Sequence, residues 1–299
     1  MQPLDTNTSG TCQRLNEDGE FVSCDPMSVG DTGEFPTDTE SEVHIPDPED
    51  VPQQVFELDS RQLYPEPSTV VSGSVQFGLD EASGLLVSEV NVSTAAHSVV
   101  DVTLQRGWLG GPSAELVRFF EEDEGSPGAW KIVDEGLLTE DELRAWNRGE
   151  FFVSVATAHQ VVLRAQVVPK DVSVLVTDIN ADAVSAYHES PQTGTARAFL
   201  VVNETTGDAS FCVHASGIEP SAVQVRQGSI GDAWGDGPEI HVTYQPQGTS
   251  NLWASPNYTV TDEWLFAMRH GHAYFVLYTD QYPSLEGVGA LRGLIDLEQ

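Results

Sequence analysis

The sequence predicts an all-β chain: two tandem antiparallel β-sandwiches of immunoglobulin-like type, each with one short helix before its last strands, behind an extended or disordered N-terminal tail. Three observations carry this. Short runs of alternating apolar and polar residues are separated by glycine-rich turns. Landmarks recur in register: Gly73 answers Gly194 and Gly107 answers Gly228 at an offset of 121, while Thr139, Gly149 and Thr157 answer Thr261, Gly271 and Thr279 at 122. Helix start and stop signals occur once in each copy.

Residues 1–54 form the predicted tail. Cys12 and Cys24 bracket LNEDGEFVS in a polar stretch with little apolar content, where a disulfide contributes most, and their pairing would imply export. The alternative is a reduced cytoplasmic chain with idle thiols. Residues 25–54 combine proline, glycine and acids and cannot bury enough surface to fold alone. The N-terminal MQPLDTNTSG lacks the basic and apolar regions of an export signal, so export requires a signal already removed.

The first copy is predicted over 55–169 and the second over 170–299, with VVPKDVS at 167–173 as the break between them. GSVQFGLD, the EASG turn and LLVSEVNVS read as an opening hairpin, repeated as TARAFLVV, NETTGD and ASFCVHAS. Thr139 and Glu142 make a capping box, with Leu143 and Trp146 on the apolar side and Gly149 ending the helix. The second copy keeps Thr261, Leu265, Met268 and Gly271 but places Trp264 where the box needs a carboxylate. Each helix runs into a strand, FFVSVAT and AYFVLYT. Trp130 and Trp253 correspond between copies, which assigns them a structural role.

Forty-seven acids stand against 13 bases, giving a net charge of −34. Nucleic-acid binding depends on cations that neutralise phosphates, so nucleic acid and anionic membrane surfaces are excluded as partners. No stretch reaches the roughly 18 apolar residues of a membrane span. An evenly acidic, lysine-poor surface suits solubility in saline surroundings.

The second copy also resembles the CHRD domain family, found in chordin and in many bacterial secreted proteins. The resemblance rests on SAYHESPQTGTARAFLVVNETTGDASFCVHASGI as the opening hairpin, QVRQGSIGDAWGDGPEIHV as the central strand and loop, and YTVTDEWLFAMRHGHAYFVLYT with GALRGLI as the close; VVLRAQV is the shorter counterpart in copy one. It implies an extracellular β-sandwich module. Family members commonly carry His-Ile-His in the central strand and His-Thr after the helix. Here the first signature falls on Thr103, Leu104 and Gln105 and on Gln224, Val225 and Arg226; the second falls on Ala156-Thr157 and Tyr278-Thr279. Alternation places Thr103 with Gln105, and Gln224 with Arg226, on the face opposite Leu104 and Val225. The imidazoles that could hold a transition metal there are gone.

Other candidates are sparse. Cys212 and His214 share a strand face, with His241 on EIHVTY, and such a set could bind copper or zinc. The competing reading, a buried thiol beside a partly exposed histidine, is favoured because no fourth ligand is visible. Asp232 and Asp236 in GDAWGDGPE could offer calcium oxygen ligands, yet the EF-hand spacing is absent. No GxSxG, HExxH, P-loop or dinucleotide fingerprint occurs. The expectation is a non-catalytic, secreted or extracellular (or periplasmic) protein acting by binding or assembly with a protein, a matrix or surface component or itself, without cofactor. The runner-up is a calcium- or copper-binding protein.

Overall fold

The alternating runs become strands, and the strands occur in one order twice. The computed structural model describes residues 13–15, 21–23 and 45–298 except 64, 68–70, 94–98, 112–113, 133–136, 183, 185–192, 231–238, 244–250 and 283–288, and at 13–15, 21–23, 239–243 and 256–257 the backbone alone. Two units separate by contacts, Met1–Glu42 and Val43–Gln299. In the first, β1 (Gln13–Leu15) pairs antiparallel with β2 (Phe21–Ser23), Gln13 opposite Ser23. Cys12 and Cys24, the expected disulfide, lie outside the described residues.

The second unit holds both copies. Copy one contains β3 (Gln53–Leu58), β4 (Gly73–Asp80), β5 (Leu85–Val92), β6 (Val99–Arg106), β7 (Glu115–Glu122), β8 (Ala129–Ile132), α1 (Glu140–Asn147), β9 (Phe151–Thr157) and β10 (Val161–Val167). Copy two contains β11 (Val172–Ile179), β12 (Thr195–Asn203), β13 (Asp208–Ser216), β14 (Ala222–Gln227), β15 (Glu239–Thr243), β16 (Leu252–Thr259), α2 (Asp262–Arg269), β17 (Ala273–Tyr278) and β18 (Leu291–Ile295). Copy two stacks the sheets β11-β12-β13-β16 and β15-β14-β17-β18. In copy one the matching halves, β3-β4-β5-β8 and β7-β6-β9-β10, join into one eight-stranded sheet because β7 pairs with both β6 and β8. At the opposite side of each copy a single antiparallel bridge links the two halves, Asp59 with Arg164 and Asn180 with Arg292.

Each sandwich buries its own core. Val75, Phe77, Leu104, Trp146, Phe151 and Val153 centre the first; Leu200, Phe211, Val225, Met268, Phe275 and Leu277 centre the second. Trp130 and Trp253 are buried in register with Val90 and Val213, the structural role their correspondence predicts. In α1 the capping box is complete: the Glu142 amide donates to the Thr139 hydroxyl and the Glu142 carboxylate accepts from the Thr139 amide. In α2 the Thr261 hydroxyl still accepts from the Trp264 amide, with nothing to reciprocate.

A third apolar cluster belongs to neither core. Val172, Phe199, Val201, Cys212 and Leu252, on the outer face of the first sheet of copy two, pack with Leu109 from copy one and Val168 of the connecting segment. Polar links flank it: Arg197 joins Asp178 and Glu66, each at 2.8 Å, and the Asn203 amide donates to the Asn147 carbonyl at 3.0 Å. The 167–173 break is therefore a turn between docked sheets, with Val168 and Val172 buried.

Candidate functional site

The central strands β6 and β14 bring the predicted signature positions to the outer faces of their sheets. Leu104 and Val225 are fully buried in the cores. Thr103 and Gln105 face away from the core, and the Gln105 amide donates to the Thr103 hydroxyl at 3.2 Å. Gln224 and Arg226 repeat the arrangement, Arg226 Nε donating to Gln224 Oε1 at 3.1 Å. In both copies the i and i+2 side chains therefore bond to each other. Neither pair supplies the soft or imidazole donors a transition metal prefers.

Around the second pair the outer face is closed. Tyr274, Val276 and Tyr278 are buried, with Ala222 and Ile230 packed against them. The Arg226 guanidinium sits 6.0 Å from the Tyr278 ring centroid. Burial pushes the Tyr278 phenol above its usual range, and Arg226 opposes the shift. Arg292, 1% exposed, lies over the Tyr274 ring at 4.9 Å and donates to the Ile230 carbonyl at 3.0 Å. Copy one has the same device: Arg164 lies 4.1 Å from the Phe152 centroid, and burial pulls its pKa down to about 10. This arginine-over-aromatic pair escaped sequence reasoning. Its signal was the Leu-Arg shared by VVLRAQV and GALRGLI, joined to the matching Phe152 and Tyr274.

Cys212 and His214 stand side by side on β13, as their spacing requires, and point into the joint between the copies. Cys212 Sγ donates to the Gly110 carbonyl at 3.3 Å, and His214 Nε2 reaches the same oxygen at 2.6 Å. A carbonyl only accepts, so His214 Nε2 carries the proton. Burial pushes the thiol up to about 12, against the pull of nearby Arg164. Burial likewise lowers the His214 pKa. A protonated, sequestered thiol is neither nucleophile nor ligand in this state. His241 belongs to β15, in the opposite sheet from β13, so the suspected trio is not assembled on one sheet. The side chain of His241, and Asp232 and Asp236, lie outside the described residues. Among the described residues no group of three or more His, Cys, Asp or Glu side chains is gathered to hold a metal.

Leu109 and Gly110, in the glycine-rich segment after β6, are thus part of the joint. Leu109 is buried against Phe199, Gly110 takes φ of +74°, and a β-carbon there would meet the Phe199 ring at 2.5 Å. In copy two the equivalent position, Ile230, is tied back by Arg292 onto its own sheet. A cleft of about 170 Å³ also spans the copies, lined by Arg148, Glu150, Asp208, Ser210, Tyr258 and Thr259. Arg148 and Glu150 pair there at 2.6 Å, and the pairing holds the arginine pKa above its ordinary value. Comparison with family models, curated proteins and solved structures finds no match to this chain, so the site is read from its own geometry.

Proposed function

We propose that the chain is a secreted, non-catalytic tandem β-sandwich protein of CHRD-like type that works by binding or assembly. One observation carries this reading: the side chains most able to do chemistry are occupied in packing. Cys212 and His214 both bond the Gly110 carbonyl, and the Thr103–Gln105 and Gln224–Arg226 pairs bond within themselves. A thiol is nucleophilic or ligating as the thiolate, and burial keeps the Cys212 thiol protonated, while the other groups are engaged in hydrogen bonds within the fold. The register of β1 with β2 brings the chain neighbours of Cys12 and Cys24 opposite each other, which supports a disulfide and an oxidising compartment.

Metal analysis of the purified protein tests the reading, together with melting curves in chelator and with added calcium or copper. The expected result is no bound metal and no shift. Stoichiometric calcium or copper, with a chelator-sensitive melting temperature, would replace this reading with a metal-binding one.

A further inference from the structure

The outer face of the second sheet of copy one differs from the rest of a strongly acidic surface. The pairing places Phe119 of β7 beside Thr103 of β6, Thr103 beside Ser154 of β9, and Ser154 beside Arg164 of β10. Leu116 lies beside Gln105, and Val161 beside Ala156. Val100 fills the bulge between Val99 and Asp101. Thr103, Phe152 and Ser154 are buried, but Phe119 is 57% exposed, Val100 54%, Leu116 44% and Val161 38%. These are half of the large exposed hydrophobic side chains among the described residues, gathered on one sheet of a chain with 47 acids. Exposed carboxylates, Asp101, Glu115 and Glu121, stand within and beside the cluster. An apolar patch with a charged rim has the anatomy of an interface.

This face is continuous with an interface that already exists. Arg164, in its middle row, lies close enough to Cys212 and His214 of copy two for its charge to act on both. The fold therefore already packs one part of this face, at Arg164, beside another sandwich of the same design. Charge narrows the occupant further: two chains of net charge −34 repel over most of their surfaces and can approach most readily where apolar side chains are gathered, with the carboxylates of the cluster weakening the contact at low salt. We propose that the exposed cluster of Val100, Leu116, Phe119 and Val161 is a self-association surface, occupied by the same face of a second copy of this chain about a two-fold axis. The inference rests on the binding-or-assembly reading above and names its partner.

Sedimentation velocity of the full chain tests it, from low micromolar to about 0.3 mM at about 0.15 and 1 M sodium chloride. The expected result is a concentration-dependent dimer that tightens with salt, as screening removes repulsion between the acidic rims. Phe119→Asp and Leu116→Asp weaken it at least about tenfold without lowering the melting temperature. Phe266→Asp alters an equally exposed phenylalanine on α2, 60% exposed, and leaves the dimer intact. If an aspartate variant unfolds, Phe119→Ser and Leu116→Ser carry the comparison. A monomer at every concentration and salt, or a dimer that these variants leave unchanged, overturns the proposal while the metal-free reading still stands. Binding of the monomer to neutral phosphatidylcholine vesicles also overturns it, and gives the face to lipid.

Discussion

Gly110 bears the tightest constraint in the joint. Its positive φ and the Phe199 ring 2.5 Å from any added β-carbon leave no room for another residue. Gly110→Ala is expected to destabilise by about 3 kcal/mol, read as a lower urea midpoint, since it combines strain with overpacking. An unchanged midpoint would mean that the joint yields easily. At the same contact, Cys212 is expected to resist a thiol reagent at pH 8 until the chain unfolds, because the thiol titrates near 12 and is buried. Rapid labelling of the native protein at that position would contradict it. His214 adds a pH dependence. Its folded pKa lies below the ordinary 6.5, so its contribution is complete above about pH 6.5 and is lost as pH falls through the lowered folded value. Melting temperatures should therefore begin to fall below pH 6.5, and His214→Gln should flatten that part of the profile. Depressed carboxylates such as Glu142 act lower, with stability present above 4.5 and lost as pH falls further.

Among the elements, the two helices make a natural comparison. Thr139→Ala breaks a reciprocated cap and should cost about 1 kcal/mol; Thr261→Ala, whose cap is one-sided, should cost less, both by chemical denaturation. Equal costs would show that the Glu142 bond back to Thr139 contributes nothing. These caps were legible because threonine, carboxylate and glycine act locally at fixed spacing. The hairpins were legible for the same reason: alternation and a turn suffice. The joint was not, because docking of one sheet on another is a long-range event that local spacing does not encode. A signal existed nonetheless. Phe199, Leu200, Val201 and Val202 run apolar on both faces of β12, and Val172, Val174 and Val176 line the outer side of β11. An antiparallel strand with one face in water alternates, so a continuous run marks burial on both sides. Cys212 lies in such a run, and its burial was foreseeable although its partner was not.

Across the second unit, charge and packing are partitioned. Acids outnumber bases 47 to 13 along the chain, while the two cores and the joint between them exclude charge almost completely, Arg164 and Arg292 being held over aromatic rings. The duplication was legible from landmarks in register, and the strand order repeats it. That positions 103, 105, 224 and 226 carry no imidazole was legible in the sequence; that the side chains there bond to one another emerged only from the fold. The account as a whole depends on two sandwiches locked by an apolar joint rather than strung on a linker. An apolar joint of this kind couples unfolding, whereas a polar one permits independent motion. Differential scanning calorimetry of the wild-type chain beside Gly110→Val tests this most directly. The account predicts one wild-type transition, with equal calorimetric and van't Hoff enthalpies, that splits in two in the variant; two resolved transitions in the wild-type protein would contradict it.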